Sequence, residues 1–225
     1  LPPSLSLSLS AFKLADAFSL CFSQRVGALL SFPSALLAAK AVADLRRADI
    51  GTLVRVELIN ATMVKATNFE FGTELPVTVT VFIELQGMDL ATCAKDRDFC
   101  VNCACEHGCS NYQTAEGDEL DDVWEARRGC LISALSYSKK KCLISDCCVP
   151  MSRLPETISA VEADFEAAGF PCMMCCHIAD GNFHCLVPYS DDAEGLALLR
   201  DIEDNMIKRV LDVGGTISGE HGIGL

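Results

Sequence analysis

Apolar and polar residues follow two recurring patterns along the chain, one typical of strands and one typical of helices. Runs of apolar and β-branched residues predict strands, whereas apolar residues at intervals of three and four predict helices. The predicted strands are 26–32, 52–59, 76–86, 110–113, 144–149, 173–178 and 183–187. The predicted helices are 35–47, 60–68, 88–108, 119–137, 152–168 and 191–213.

The last two predicted strands are separated by a strong turn signal, Asp180-Gly181, which is typical of a two-residue β-hairpin. A tight antiparallel hairpin favours an α+β fold, with an antiparallel sheet and helices packed on one side, over a doubly wound parallel sheet. No glycine-rich dinucleotide fingerprint follows an early strand. The Ser- and Leu-rich residues 1–25 are left as an undetermined N-terminal segment.

Two histidines flank the predicted hairpin turn. If Asp180 and Gly181 form the turn, His177 faces His184 on one face of the hairpin, with Cβ atoms about 4.5–5.5 Å apart. Two imidazoles at that spacing can hold one metal ion. A stacked or hydrogen-bonded pair of histidines in the sheet is an equally good interpretation of the spacing.

A second group of polar residues lies in residues 214–224, a loop with five glycines that contains adjacent Glu220 and His221. Glycine lets backbone approach a ligand closely. His177, His184 and Glu220 would form a three-ligand site with one open position, the arrangement of catalytic zinc. His221 would then be left for proton transfer.

These two stretches resemble the signature of the FAD-linked oxidase C-terminal domain, found in the D-lactate dehydrogenase (cytochrome) group of 2-hydroxy-acid dehydrogenases. The family reads G-H-x-G-D-G-N-x-H and then G-G-T-x-S-G-E-H-G-I-G. The second motif matches throughout residues 214–224, whereas Cys176 and Ala179 replace two glycines of the first. The resemblance also covers residues 124–128 and 146–155 and extends from about residue 26 to the end.

Arg127 lies on the apolar face of the predicted helix 119–137, in a stripe of apolar residues at helical spacing. The stripe consists of Leu120, Trp124, Leu131 and Leu135. Burying an unpaired guanidinium is costly, so Arg127 must meet an anion. That anion is either the carboxylate of a substrate, held in bidentate fashion, or an acidic side chain in a structural salt bridge. The resemblance favours the substrate clamp, at Arg127 rather than Arg128.

The resemblance implies that residues 26–225 are a substrate (cap) domain with ferredoxin-like halves, truncated at the C-terminus, with the FAD-binding domain absent from this chain. The implied activity is oxidation of a D-2-hydroxy acid, foremost D-lactate. A divalent metal, zinc or manganese, would bind the 2-hydroxyl, His221 would accept its proton, and Asn182 would hydrogen-bond the substrate or a ligand. The hydride would pass to FAD, whose binding residues the chain does not reveal.

The resemblance further implies a mitochondrial location and an electron acceptor such as cytochrome c. Glycolate or D-2-hydroxyglutarate dehydrogenases of the same family are alternatives, and a noncatalytic metal-binding module is a rival of another class. The fragment alone is expected to be inactive without its flavin-binding domain.

Composition narrows these possibilities further. Acidic residues outnumber basic ones 31 to 18, which leaves a net charge of −13 and argues against a nucleic-acid partner. No apolar run reaches the length of a membrane span.

The 14 cysteines are irregularly spaced, which favours free thiols in a reducing compartment. Cys100-x-x-Cys103-x-Cys105-x-His107-x-Cys109 resembles a zinc knuckle, with ordinary helix cysteines as the alternative.

Overall fold

The computed structural model describes residues 24–190, 192–219 and 221–222. The described strands are β1 (Gln24–Phe32), β2 (Leu53–Ile59), β3 (Val79–Gly87), β4 (Asn111–Glu116), β5 (Lys141–Ile144), β6 (Cys147–Cys148), β7 (Met173–His177) and β8 (Asn182–Tyr189). The described helices are α1 (Ala35–Arg47), α2 (Ala61–Phe71), α3 (Leu90–Glu106), α4 (Gly117–Arg128), α5 (Cys130–Ser138), α6 (Leu154–Ala167) and α7 (Ala193–Asp212). None of them is long and apolar enough to cross a membrane. Nearly all of the predicted segment 1–25 lies outside these residues.

The described strands form one antiparallel sheet in the order β4-β1-β3-β2-β7-β8-β5, with β6 also paired to β8. The first four strands, in the order β4-β1-β3-β2, form a β-α-β-β-α-β unit of the ferredoxin-like kind, with α2 inserted between β2 and β3. A second group, β5 and β6, α6, β7, β8 and α7, continues the sheet through the β2–β7 pair. The predicted α+β class is confirmed.

The sheet is covered by helices on both faces, which corrects the expectation that they pack on one side only. Neighbouring strand residues point to opposite faces, and they divide between two cores. The larger core packs α1, α3, α6 and α7 against one face. The smaller core packs α2, α4 and α5 against the other, around Met63, Phe82 and Trp124. The strands β1, β3, β7 and β8 are buried along nearly their whole length, on both faces, so the sheet needs cover on each face.

The predicted helix 119–137 is two helices, because the chain breaks at Gly129 between α4 and α5. A Cβ at Gly129 would lie 2.3 Å from the ring of Phe71, so glycine permits a close approach of α2 at the break. In α5 the residues that pack in the smaller core are Cys130 and Ala134. Leu131 and Leu135, which belong to the predicted stripe, are 41% and 42% exposed.

The predicted strand 144–149 is also interrupted, and β5 and β6 flank the pair Ser145-Asp146. Both short strands pair with β8, while the Ser145 hydroxyl accepts a hydrogen bond from the backbone N–H of Cys185 at 2.9 Å. The interruption leaves the Asp146 side chain available for contacts outside the ladder. Those contacts lie in the candidate site.

Candidate active site at the β7–β8 hairpin

The hairpin that carries the motif histidines has a four-residue loop, 178–181, rather than the predicted two-residue turn. The register pairs His177 with Asn182 and Cys175 with His184. The prediction that His177 directly faces His184 is therefore wrong. The wider loop closes through a hydrogen bond from Asp180 N–H to the His177 carbonyl at 2.9 Å, and it contacts the segment after β6, where Val149 N–H donates to the Gly181 carbonyl at 3.0 Å.

The two histidines nevertheless share one face, because the register differs from the predicted one by an even number of residues. Their ring centroids are 5.6 Å apart and the rings are nearly perpendicular, at 88°. The ring of His221 in the glycine-rich loop lies 5.5 Å from that of His184. Three of the four histidines in the chain thus meet at the end of the hairpin, as the sequence motifs predicted.

The hydrogen bonds of two of these histidines determine which ring nitrogen carries a hydrogen. His177 Nδ1 lies 2.8 Å from Glu57 Oε1, and His184 Nδ1 lies 3.1 Å from the Ser145 carbonyl oxygen. An ionised carboxylate and a carbonyl can only accept, so Nδ1 is the donor in both rings. When these rings are neutral, the hydrogen on Nδ1 leaves the lone pair on Nε2 in both His177 and His184.

Arg127 is buried, with 8% of its surface exposed, and its Nη2 donates to Glu57 Oε2 at 2.8 Å. The alternative of a salt bridge to an acidic side chain is therefore realised. Burial alone would lower the pKa of Arg127, but Cys130, Cys175 and Glu57 together raise the pKa above its usual value, so the guanidinium stays charged. Its Nε is buried and has no hydrogen-bond partner among the described residues.

Asp146 joins the glycine-rich loop to the hairpin. Its Oδ1 accepts from Asn182 Nδ2 at 2.8 Å, and its Oδ2 accepts from the backbone N–H of His221 at 2.8 Å. Its carbonyl accepts from Gly219 N–H at 3.1 Å. Asn182 is 7% exposed, and its Oδ1 is a buried acceptor without a partner within the described part of the chain. A buried unpaired acceptor of this kind is a natural contact for a ligand.

Two carboxylates of the site, Glu57 and Asp146, were not predicted. Glu57 was interpreted as part of the strand architecture, although an acidic residue among the buried positions of β2 was a signal that could have been followed. Asp146 lay inside what the sequence predicted to be one continuous strand. Both carboxylates bind partners far away in the sequence, so no local pattern identifies them.

The metal site is not completed by the described residues, which contain no group of three or more His, Cys, Asp or Glu that could hold an ion. Glu220, the predicted third ligand, lies outside the described residues. His177 and His184 themselves suit the role, because metal-binding histidines commonly donate their other N–H to a carboxylate or carbonyl. The donor set is thus compatible with a metal only if Glu220 completes it.

The cysteine cluster 100–109 also fails to form a metal site. It lies along α3 and the turn after it, and its cysteines range from buried to exposed. Burial raises the pKa of Cys100 to about 12, whereas Cys105 is exposed. His107 Nε2 lies 2.8 Å from Asp44 Oδ2. The described residues of this cluster therefore form no group of three or more that could hold an ion, and the zinc-knuckle interpretation has no geometric support.

Fold and site together define an α+β domain in which three histidines lie close together at the end of an antiparallel hairpin. The family model for FAD linked oxidases, C-terminal domain, matches residues 23–225, and the chain belongs to this family. The predicted resemblance is thereby confirmed.

Among curated proteins, the chain is 30% identical over 203 residues to the probable mitochondrial D-lactate dehydrogenase of Danio rerio, covering 89% of this chain and 40% of the relative. It is 30% identical over 207 residues to the mitochondrial D-lactate dehydrogenase [cytochrome] 1 of Saccharomyces cerevisiae, covering 88% of this chain and 35% of the relative. It is 28% identical to the glycolate oxidase subunit GlcD of Bacillus subtilis, covering 83% of this chain and 40% of the relative. The chain thus spans about two fifths of these relatives.

Among solved structures, the 4-ethylphenol oxidase from Gulosibacter chungangensis superposes with a TM-score of 0.64 at 11% identity, over 88% of this chain and 46% of that one. The p-cresol methylhydroxylase gives a TM-score of 0.58 at 10% identity, over 86% of this chain and 44% of that one. At such low identity these likenesses show the fold alone.

Proposed function

We propose that the chain is the substrate domain of an FAD-dependent D-2-hydroxy-acid dehydrogenase that oxidises D-lactate to pyruvate. The observation that carries the proposal is the convergence of His177, His184 and His221 with Asn182 and Arg127 around one hairpin end, in a chain similar to D-lactate dehydrogenases. A proton acceptor, a cation and a polar amide are the groups that oxidation of a 2-hydroxy acid requires of a protein.

Arg127 binds the substrate carboxylate in this proposal. Glu57 and the Cys130 sulfur accept from two of its five N–H groups, and Nε is unpaired among the described residues. Asn182 contributes its unpaired Oδ1, which accepts a hydrogen bond from the substrate or a ligand. Both groups are held on rigid elements, α4 and β8, which favours precise placement.

His221 accepts the proton of the 2-hydroxyl as the general base, a step to which imidazole is suited near neutral pH. Its backbone N–H is anchored to Asp146, while its side chain is exposed at the open edge of the site. Imidazole, guanidinium, amide and carboxylate groups cannot accept a hydride. FAD, bound mainly outside these residues, supplies that redox chemistry when present.

His177, His184 and Glu220 would hold a divalent metal, zinc or manganese. Such an ion supplies Lewis acidity that lowers the pKa of a bound hydroxyl. The Nδ1–H donation of both histidines supports this assignment, which depends on Glu220 completing the set.

The names of the relatives also suggest a mitochondrial location and a cytochrome as electron acceptor. The similarity to GlcD makes glycolate a second candidate substrate, and D-2-hydroxyglutarate belongs to the same chemical class.

The decisive test uses the full-length flavoprotein with D-lactate, L-lactate, glycolate and D-2-hydroxyglutarate, with a dye or cytochrome c as acceptor. We expect the highest kcat/KM for D-lactate, and a loss of kcat of about 10²–10⁴ in His221→Ala. His107→Ala is the matched control, because His107 pairs with Asp44 outside the site, and it should retain activity. No oxidation of any 2-hydroxy acid, or equal losses in both histidine variants, would overturn the proposal.

A further inference from the structure

Glu57 connects two predicted site residues that lie on different elements. Oε1 accepts from His177 Nδ1 at 2.8 Å, and Oε2 accepts from Arg127 Nη2 at 2.8 Å. The Glu57 side chain is 16% exposed and that of Arg127 is 9% exposed. One carboxylate in the middle of β2 therefore holds the end of β7 and one face of α4.

The pairing has a consequence for each partner. An unpaired buried guanidinium would be strongly destabilising, so Glu57 allows Arg127 to remain charged beneath the site. Because an ionised carboxylate only accepts hydrogen bonds, Glu57 also requires a hydrogen on Nδ1 of His177. The His177 ring thereby presents Nε2 to the neighbouring His184, whose ring is 5.6 Å away.

We propose that Glu57 is the positioning residue of this site: it couples the guanidinium of Arg127 to the imidazole of His177, and it fixes the tautomer and orientation of that ring. The inference rests on the proposed function for the ligands that Arg127 and His177 bind. The coupling does not, because it consists of hydrogen bonds among the three side chains. Glu57 itself touches no substrate in this arrangement.

The neighbouring Glu84 shows what a purely structural carboxylate looks like on the same sheet face. Its side chain is 2% exposed and lies 3.8 Å from Arg25 Nη1 and 3.4 Å from Arg55 Nη1. In the β2–β3 ladder Glu84 is paired with Arg55, and Glu57 is paired with Phe82. These two pairs are neighbours on the same face of the sheet. The ion-pair partners of Glu84 among the described residues, Arg25 and Arg55, are not candidate site residues, which makes Glu84→Gln the matched control for Glu57→Gln.

The first measurement reads the His177 tautomer in the full-length protein labelled with 15N-histidine, with the His177 signals assigned by their loss in His177→Asn. In the wild type, prepared without manganese, we expect Nδ1 to carry the hydrogen and Nε2 to carry none, whether or not zinc is bound to it. In Glu57→Gln the preference for the Nδ1–H tautomer should weaken, because the amide can also donate. Glu84→Gln should leave the His177 signals unchanged.

The second measurement is kinetic, on the same full-length enzyme. Changes of groups that orient a ligating or catalytic histidine cost about 10–100-fold, and we expect a loss of that size in kcat/KM for Glu57→Gln, with both a raised KM and a lowered kcat. Glu57→Asp keeps the negative charge on a side chain that is one methylene shorter. Its kcat/KM should therefore lie between that of Glu57→Gln and that of the wild type. The double variant Glu57→Gln/Arg127→Lys should lose less than the product of the two single losses, because the partners are coupled.

The two measurements separate the possible failures. Unchanged His177 signals in Glu57→Gln, or equal kinetic losses in Glu57→Gln and Glu84→Gln, would overturn the positioning role. If the wild-type protein oxidises no 2-hydroxy acid, the proposed function fails, but the tautomer measurement still tests the role of Glu57, because it requires no turnover.

Discussion

At the scale of single residues, Asn60 shows how one buried side chain can join three elements. It caps α2, where Oδ1 accepts from Met63 N–H at 2.9 Å, and the same oxygen accepts from Met174 N–H at 2.9 Å. Its Nδ2 donates to Glu162 Oε1 at 2.6 Å and to the Cys172 carbonyl at 2.8 Å. The side chain thus uses all of its hydrogen-bonding capacity, and it holds β7 in place before the hairpin.

Asn60→Ala should destabilise the folded chain by about 2–4 kcal/mol, since it removes a helix cap and leaves buried backbone groups unpaired. Urea unfolding monitored by circular dichroism measures the change. Ser34→Ala is a useful comparison, because Ser34 caps α1 through a single longer contact of 3.4 Å. If Asn60→Ala lost no more stability than Ser34→Ala, the role of Asn60 in joining these three elements would be contradicted.

The pKa of Glu162 predicts how the stability of the folded chain depends on pH. Burial raises the pKa of Glu162, although the hydrogen bond from Asn60 partly opposes the shift. The folded state therefore binds the proton more tightly than the unfolded state, whose glutamate pKa is about 4.3. The contribution of Glu162 to stability is present below that value and is lost as pH rises through the raised pKa.

Glu162→Gln should accordingly raise the melting temperature at pH 7, because the glutamine can still accept from Asn60 without a buried charge. The advantage over the wild type should shrink as pH falls towards 4. Thermal unfolding at a series of pH values tests this, and curves that run parallel across the range would show that the raised pKa has no effect on stability.

At the scale of elements, the site depends on how closely the glycine-rich loop approaches the hairpin. A Cβ at Gly219 would lie 2.0 Å from Asn182 Nδ2 and 2.7 Å from Asp146 Oδ1. Both atoms belong to the group that holds the loop against β8. The loop therefore reaches its place only because residue 219 has no side chain.

Gly219→Ala should displace this loop and separate the His221 backbone from Asp146. We expect kcat/KM of the full-length enzyme to fall by at least about tenfold, since small misplacements of a catalytic group are costly, with little change in global unfolding. Gly51→Ala is the control, because nothing lies within 4 Å of its added Cβ. Wild-type activity in Gly219→Ala would show that the close approach is not required.

At the scale of the whole molecule, one sheet separates two hydrophobic cores. The site lies on the face of the smaller core, at the end of the β7–β8 hairpin. The α4 and α5 helices cover that face up to Arg127 and Cys130, where the hairpin histidines begin. The charge of −13 means that an anionic substrate depends on local positive charge. Arg127, partly compensated by Glu57, is the buried cation at this place in the described residues.

Purified chain of these 225 residues should not reduce a dye acceptor with D-lactate unless a flavoprotein is added, because its side chains cannot accept a hydride. Dye reduction followed by absorbance tests this, with the full-length enzyme as the positive control. Turnover by the chain alone would contradict the assignment of redox chemistry to a flavin held elsewhere.

Local signals predicted individual elements well. Pro33-Ser34 and the periodicity that follows predicted a helix over 35–47, and α1 spans Ala35–Arg47 with Ser34 at its cap. The break at Gly129 was not predicted, because it depends on the approach of Phe71 from another helix. The hairpin register was also missed, since the loop at Gly181 is held by contacts with Val149 rather than by its own sequence.

The amino-acid sequence by itself determined the family, the positions of the three histidines and the arginine, and most of the strands and helices in their order, because these follow from local periodicity and contiguous motifs. Only the tertiary structure decided which groups pair with them. Glu57 lies 70 positions from Arg127 and 120 positions from His177. Contacts over such separations depend on sheet order and register, which arise when distant apolar faces pack together.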